Sequence, residues 1–283
     1  MTNAELILKS CEIPAVPMVA MKVLRLVNDP NTEIEALQNA IMADQSLSAR
    51  VLRVANSVFY GSRRNIDTVS DAIIMTGFQT IKTLVLAAAT KDVYKKFGLL
   101  EQKLWEHSIG VSVAASILAR EVGGLSAEEA TVAGLLHDVG KVVMNNSQPE
   151  RFALLIEMVY NDRVTFAQRE KEVFGFGHAE VGSMFAQKWD FSDGLCDVIR
   201  RHHFETAEDL LDMEPLKRRL CTVIALADAL CVRLGVGYRG PMADLVLKDA
   251  ECRDVLNISD DRYAEIIEEF KRAYVMEKSS YQM

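Results

Sequence analysis

A chain of 283 residues suits one large domain or two modest ones, and a formal net charge of -8 excludes a general attraction to nucleic acid or an anionic membrane. Hydrophobic residues at 49% and charged residues at 25% exclude a disordered chain. No apolar run reaches bilayer-spanning length, and the first apolar cluster, Leu6-Ile7-Leu8, follows no basic stretch, so neither a membrane span nor a signal peptide is expected. The five cysteines (Cys11, Cys196, Cys221, Cys231 and Cys252) are scattered and form no Cys-x-x-Cys pair. They read as reduced core residues of a cytoplasmic protein.

Helical periodicity runs through the chain. Val16-Pro17 precedes an apolar stripe from Met18 to Val27 that Asn28-Asp29-Pro30 ends, since proline suits a helix start and cannot continue an interior. Thr32 with Glu35 has the spacing of a capping box for a helix through Leu37 and Ile41. Asp44 is placed to cap a third helix bearing Leu47, Val51, Leu52, Val54 and Ala55, which ends near Asn56-Ser57 and a turn at Gly61. Further helices are expected at about 70–75, 77–94, 101–122, 126–145, 148–162, 165–173, 178–188, 192–204, 214–234 and 260–276. Period-two strand patterns are absent, so the fold class is all-α. A seam near Phe97-Gly98 divides an N-terminal helical block, residues 1–95, from a helical bundle with C-terminal helices, residues 96–283.

All five histidines fall in one series: His107, His137-Asp138, His178 and His202-His203, closed by Asp228. His107 shares a helical face with Leu104, Val111, Ala114 and Leu118, and Asp228 shares one with Cys221, Ile224, Ala225, Cys231 and Val232. A carboxylate on an apolar stripe is costly to bury without a partner, which a metal ion, an arginine or a histidine could supply. Gly134 and Gly140 flank the His137-Asp138 pair and leave room beside it. Adjacent His202 and His203 would project about 100° apart on a helix, so one or both rings could reach the site. Imidazole and carboxylate together point to a divalent metal site assembled from separate helices, with iron, manganese, nickel and zinc all compatible. Arg200-Arg201 reads either as a solvated face or as a phosphate-binding rim.

This order of residues resembles the HD superfamily of metal-dependent phosphohydrolases, named for the pair that stands here as His137-Asp138. It is closer to the HD-GYP phosphodiesterases, and that resemblance implies one ion on His107, His137, Asp138 and Asp228. Asp138 would bridge to a second ion on His178, His202 and His203, and Lys141 would approach a substrate phosphate. The chain departs from that group in continuing Phe204-Glu205-Thr206-Ala207-Glu208 where a Gly-Tyr-Pro segment would follow the His-His pair. Lys103 stands where a glutamate would serve a third metal. The resemblance therefore carries neither a third ion nor recognition of a cyclic dinucleotide.

The N-terminal half is similar to the HDOD (HD-related output) domain of bacterial signalling proteins. The similarity rests on Ile13-Pro14-Ala15-Val16-Pro17, Asn28-Asp29-Pro30, Ile41-Met42-Ala43-Asp44-Gln45-Ser46-Leu47, the run Leu52–Gly61 centred on Asn56-Ser57, and Asp71-Ala72-Ile73 with Gly77. It extends from about Ile13 to beyond His203 and implies a regulatory role, in a family where many members have lost part of the metal set. Three functions follow. The first is a signalling module that acts mainly through a protein partner, with one or two divalent ions bound. The second is a metal-dependent phosphohydrolase acting on a phosphorylated small molecule, with Asp138 bridging two ions that activate water and Lys141 stabilising the developing charge. The third is a metal that only stitches helices together.

Overall fold

The computed structural model describes residues 3–15, 17–29, 31–56, 66–237, 240–241 and 247–281, and among them the regular structure is helical with no strand. The chain divides into two compact units, one of Met1–Ala15 with Val93–Phe270 and one of Val16–Asp92 with Lys271–Met283. Helix α1 (Asn3–Ser10) belongs to the first of these, so the division groups residues 3–15 with the histidine-bearing elements, where the sequence grouped them with residues up to 95. The physical reason is local. Ile7, Cys11 and Ile13 are buried, and the carbonyls of Ser10, Ile13 and Pro14 accept hydrogen bonds from Gln148, Lys188 and the Trp189 indole.

The Val16–Asp92 unit holds α2 (Met18–Asn28), α3 (Ile34–Met42), α4 (Gln45–Ala55) and α5 (Val69–Asp92). Ala20, Val23 and Val27 of α2, Leu37, Ala40 and Ile41 of α3, and Leu47, Val51 and Ala55 of α4 are its buried stripes, at the three-and-four spacing of one helix face. Asp44 caps α4 by accepting the Leu47 amide at 2.9 Å. The Thr32 capping box does not form: α3 begins after Glu33 without a side-chain cap, and the Thr32 hydroxyl has no hydrogen-bond partner among the described residues. At Gly77 the backbone takes φ 80° and ψ 163°, which breaks α5 into two segments and explains the glycine. Asn56 exchanges two hydrogen bonds of 2.7 Å with the main chain of Ile66. The expected turn from Ser57 to Gly61, with Val16 and Pro30, lies outside the described residues.

The histidine-bearing unit contains α6 (Leu99–Val122), α7 (Ala127–Leu136), α8 (Val139–Ser147), α9 (Pro149–Asp162), α10 (Phe166–Phe174), α11 (His178–Lys188), α12 (Asp193–Arg201), α13 (Pro215–Leu234), α14 (Asp249–Leu256) and α15 (Asp260–Tyr281), the last only as far as Phe270. Two close backbone approaches set its core. A Cβ on Gly134 would stand 2.8 Å from the Ser112 Cα of α6, and one on Gly140 only 1.9 Å from the His178 carbonyl of α11. Where the sequence predicts one helix over 126–145, the chain forms α7 and α8 with a break at Asp138 (φ -101°, ψ 7°). No single helix among the described residues is long and apolar enough to cross a membrane.

Candidate metal centre

The series residues lie on five separate pieces of the histidine-bearing unit. His107 sits in mid-α6, and His137 and Asp138 occupy the α7–α8 break. His178 is the first residue of α11, and Asp228 projects from α13. His202 and His203 lie in the turn that follows α12, not on the helix the periodicity predicts, because α12 ends at Arg201. That turn lets adjacent side chains face one point. His107, His137, Asp138, His178 and His202 are buried, His203 is partly exposed, and the Asp228 side chain is 14% exposed.

All seven residues converge as two groups whose ligand atoms lie within 4.8 Å of one another, His107 with His137 and Asp228, and Asp138 with His178, His202 and His203. Asp138 faces both groups. Its Oδ2 is 3.5 Å from His107 Nε2 and 3.4 Å from His137 Nε2, whereas its Oδ1 is 3.0 Å from His178 Nε2 and 4.0 Å from His202 Nε2. His107 Nε2 lies 3.0 Å from Asp228 Oδ1. His178 Nε2 lies 3.1 Å from His203 Nε2 and 3.4 Å from His202 Nε2.

Four of the rings are oriented from behind. The Nδ1 atoms of His107, His137 and His202 face the carbonyl oxygens of Val236 (3.1 Å), Gly134 (2.7 Å) and Ile199 (2.7 Å). His178 Nδ1 instead meets the carboxylate of Glu170. In a neutral ring, an Nδ1–H donating to these acceptors leaves the Nε2 lone pair directed inward, the tautomer that metal ligation requires. The approach at His107 needs Gly237, where a Cβ would stand 2.5 Å from that of His107.

Electrostatics separates the histidines. Burial, then the neighbouring imidazoles, hold His202 well below its ordinary range, and burial and His178 push His203 down to about 4. Burial would also lower His178, but the Glu170 and Asp138 carboxylates override it and raise it to about 9. Asp138 and Asp228 are held well below the carboxylate range, because surrounding imidazoles and, at Asp138, the Lys141 ammonium outweigh burial. Among the described residues the buried His137 Nε2 has no hydrogen-bond partner, and Asp138 Oδ1 has only its 3.0 Å approach to His178 Nε2. Such an orphan is rare in folded proteins, and a cation lying among these donors would satisfy it. The residues therefore fit a divalent ion.

A cleft of about 660 Å³ opens over His178, His202, His203 and Asp228. Lys141 lines it but is only 4% exposed, its Nζ 2.6 Å from Asp138 Oδ2 and 4.6 Å from the Phe166 ring centre. Arg200 and Arg201 also line the cleft, and the Arg201 guanidinium is paired with Asp212. Lys103 pairs with Glu106 at 2.9 Å. Sequence reasoning missed Glu170, which is fully buried. Its signal was the spacing Phe166, Glu170, Phe174, a carboxylate on an apolar helical face like that of Asp228.

An all-α bundle enclosing paired histidine–carboxylate clusters defines the class. Residues 13–204 match the HDOD domain, about two thirds of the chain, and this chain belongs to the HDOD domain family. The match takes in every series residue except Asp228. An HDOD domain protein of unknown function from Geobacter sulfurreducens is 28% identical, with 94% of this chain and 95% of that one covered and a TM-score of 0.72. A candidate phosphohydrolase from Shewanella amazonensis SB2B is 27% identical, with 95% and 94% covered and a TM-score of 0.72. Ribonuclease Y of Aquifex aeolicus is 27% identical over 202 residues, which cover 69% of this chain. The chain spans well under half the length of such curated relatives, 28% in that case.

Proposed function

We propose that this chain is an HDOD signalling module whose histidine–aspartate centre holds one or two divalent ions and whose helices, braced by that centre, engage a signalling protein partner. The observation that supports it is the convergence of seven donors from five pieces of chain, with His137 Nε2 otherwise unsatisfied among the described residues. His107, His137 and Asp228 would hold one ion and His178, His202 and His203 a second, with one Asp138 oxygen turned toward each group. Iron, manganese, nickel and zinc all suit this donor set. Because the ligands come from five separate pieces of chain, occupancy would couple α6, α7, α8, α11, the turn after α12, and α13 into one rigid platform. Five buried, unpaired cysteines support a reducing compartment, the cytoplasm.

A second reading, a metal-dependent phosphohydrolase, is favoured by the cleft, where Lys171, Arg200 and Lys248 stand beside His178, His203 and Asp228. These cations would bind and orient a phosphorylated small molecule over the centre, and a bound ion would supply Lewis-acid stabilisation of the phosphate. Asp138 and Lys141 would be the catalytic pair. The reading ranks second because the Lys141 ammonium is held by Asp138 and the Arg201 guanidinium by Asp212. The likenesses to a candidate phosphohydrolase and to ribonuclease Y are consistent with it.

Elemental analysis of the purified chain, combined with a screen of phosphate mono- and diesters with and without chelator, tests both. Bound transition metal without turnover supports the module. Turnover that both chelator and Asp138→Asn abolish promotes the enzyme to first place. A chain that binds none of the four metals ends both readings of the centre.

A further inference from the structure

Glu170 is a buried charge outside the seven-residue histidine–aspartate series. It is fully buried, yet the hydrogen bonds of its carboxylate among the described residues all go to one neighbour, His178. Oε2 accepts the His178 main-chain N–H at 2.8 Å, and the two oxygens lie 2.6 and 2.7 Å from His178 Nδ1. A buried carboxylate is expensive and persists only where its bonds repay the lost hydration. Here both sets of bonds reach a residue whose opposite ring nitrogen faces Asp138, His202 and His203.

Two features separate this contact from ordinary packing. The first is the contrast with His107, His137 and His202, whose Nδ1 atoms are held by main-chain carbonyls, so that His178 alone among the four has a carboxylate behind it. An anionic acceptor makes a shorter and stronger bond than a carbonyl, and it makes the ring a better donor at its far nitrogen. The second is position. His178 opens α11, where the first amides have no partner within the helix and the helix dipole favours an anion. Glu170 takes that amide as well as the ring, so the backbone origin and the ring plane of His178 are fixed by one group. Glu170 is itself placed by Phe166 and Phe174, one turn to either side on α10 and both buried.

We propose that Glu170 is the positioning residue of the second ligand group, holding His178 by ring and backbone so that Nε2 is presented to an ion shared with Asp138, His202 and His203. The proposal rests on the metal-binding reading of the centre and extends it to a residue outside the ligand set. Glutamine at this position keeps the size of the side chain but is neutral and offers one acceptor oxygen in place of two, so the ring loses its anionic partner.

The test uses the full chain and chelator competition with Zn²⁺, read as stoichiometry and affinity, with circular dichroism and thermal melting as the check on folding. Glu170→Gln is expected to fold, to bind the first ion as the wild type does, and to bind the second about 10- to 100-fold more weakly, the usual loss when the partner of a ligating histidine is removed. His178→Ala should abolish the second ion, and Glu170→Gln added to His178→Ala should weaken zinc binding no further, because the glutamate acts through that ring. Wild-type affinity in Glu170→Gln, or additional loss in the double variant, overturns the proposal while leaving the metal centre standing. A wild-type chain that binds no second ion overturns the reading and the proposal together. Should Glu170→Gln unfold, nitrogen NMR of the zinc-loaded wild type decides: His178 protonated at Nδ1 supports the role, and protonation at Nε2 excludes it.

Discussion

Asp138 and His178 meet at 3.0 Å, Oδ1 to Nε2, across the contact between α8 and α11, while the other Asp138 oxygen faces His107 and His137. The backbone makes this possible. Asp138 leaves the helical conformation at the α7–α8 break, and Gly140 two residues later lets α8 lie against the first turn of α11.

A carboxylate facing both groups should serve both ions. Asp138→Asn is therefore expected to lower metal per chain for both positions together, whereas His178→Ala should empty chiefly the second. Asparagine is preferred to alanine because its amide oxygen still offers the buried Lys141 Nζ a hydrogen-bond acceptor, which alanine does not. Elemental analysis of the two variants decides, and wild-type metal content in Asp138→Asn would remove the shared role.

The Gly140 contact is equally exposed to test. With a Cβ 1.9 Å from the His178 carbonyl, Gly140→Ala must push α8 and α11 apart, and destabilisation of about 3 kcal/mol is expected. Metal affinity should fall with it, since the displaced carbonyl belongs to a ligand. Gly194→Ala is the control, because its Cβ would meet only the flexible Lys217 side chain. Chemical denaturation of both variants measures the difference, and equal midpoints would refute the packing account.

Alkaline pH should loosen the core. Burial pushes the Cys196 thiol up to about 11 and Cys252 up to about 12, and raises Cys221, Tyr94 and Tyr263 as well. Each group is more acidic in the unfolded chain, where a thiol ionises near about 8.5. The stabilisation is therefore complete below that value and is lost as pH rises through the folded values. Melting temperature is expected to fall progressively above about pH 9 on this account. All five cysteines are buried and free, so a thiol reagent at pH 8 should label none in the native chain and five after unfolding. Rapid native labelling at any of them would contradict the burial.

Hydrolysis of cyclic dinucleotides is expected to be weak or undetectable even with metal loaded. Rate acceleration requires substrate held in line as well as a charged centre. Phe204 to Glu208 replace the Gly-Tyr-Pro segment, Lys141 is held by Asp138, and Arg201 is held by Asp212. Efficient metal-dependent turnover, lost in Asp138→Asn, would reverse this expectation. Slow cleavage of simple phosphoesters would not, because such substrates need little positioning.

The all-α class, the Asp44 cap, the break at Gly77 and the seven members of the histidine–aspartate series are legible in the sequence, because helical period, capping chemistry and residue type are local properties. Tertiary structure decided the rest. Residues 1–15 pack with the histidine-bearing unit because carbonyl acceptors at Ser10, Ile13 and Pro14 find donors more than a hundred positions away, which no local pattern encodes. The break at Asp138 interrupts an apolar run that reads as one helix, and close packing at Gly134 and Gly140 seats α7 against α6 and α8 against α11. Glu170 lies in Arg169-Glu170-Lys171-Glu172, a charge-dense stretch that by itself reads as a solvated face. The Phe166, Glu170, Phe174 spacing marks the apolar face of α10, but the docking of α10 against the start of α11 supplies the His178 partner that lets a carboxylate be buried there.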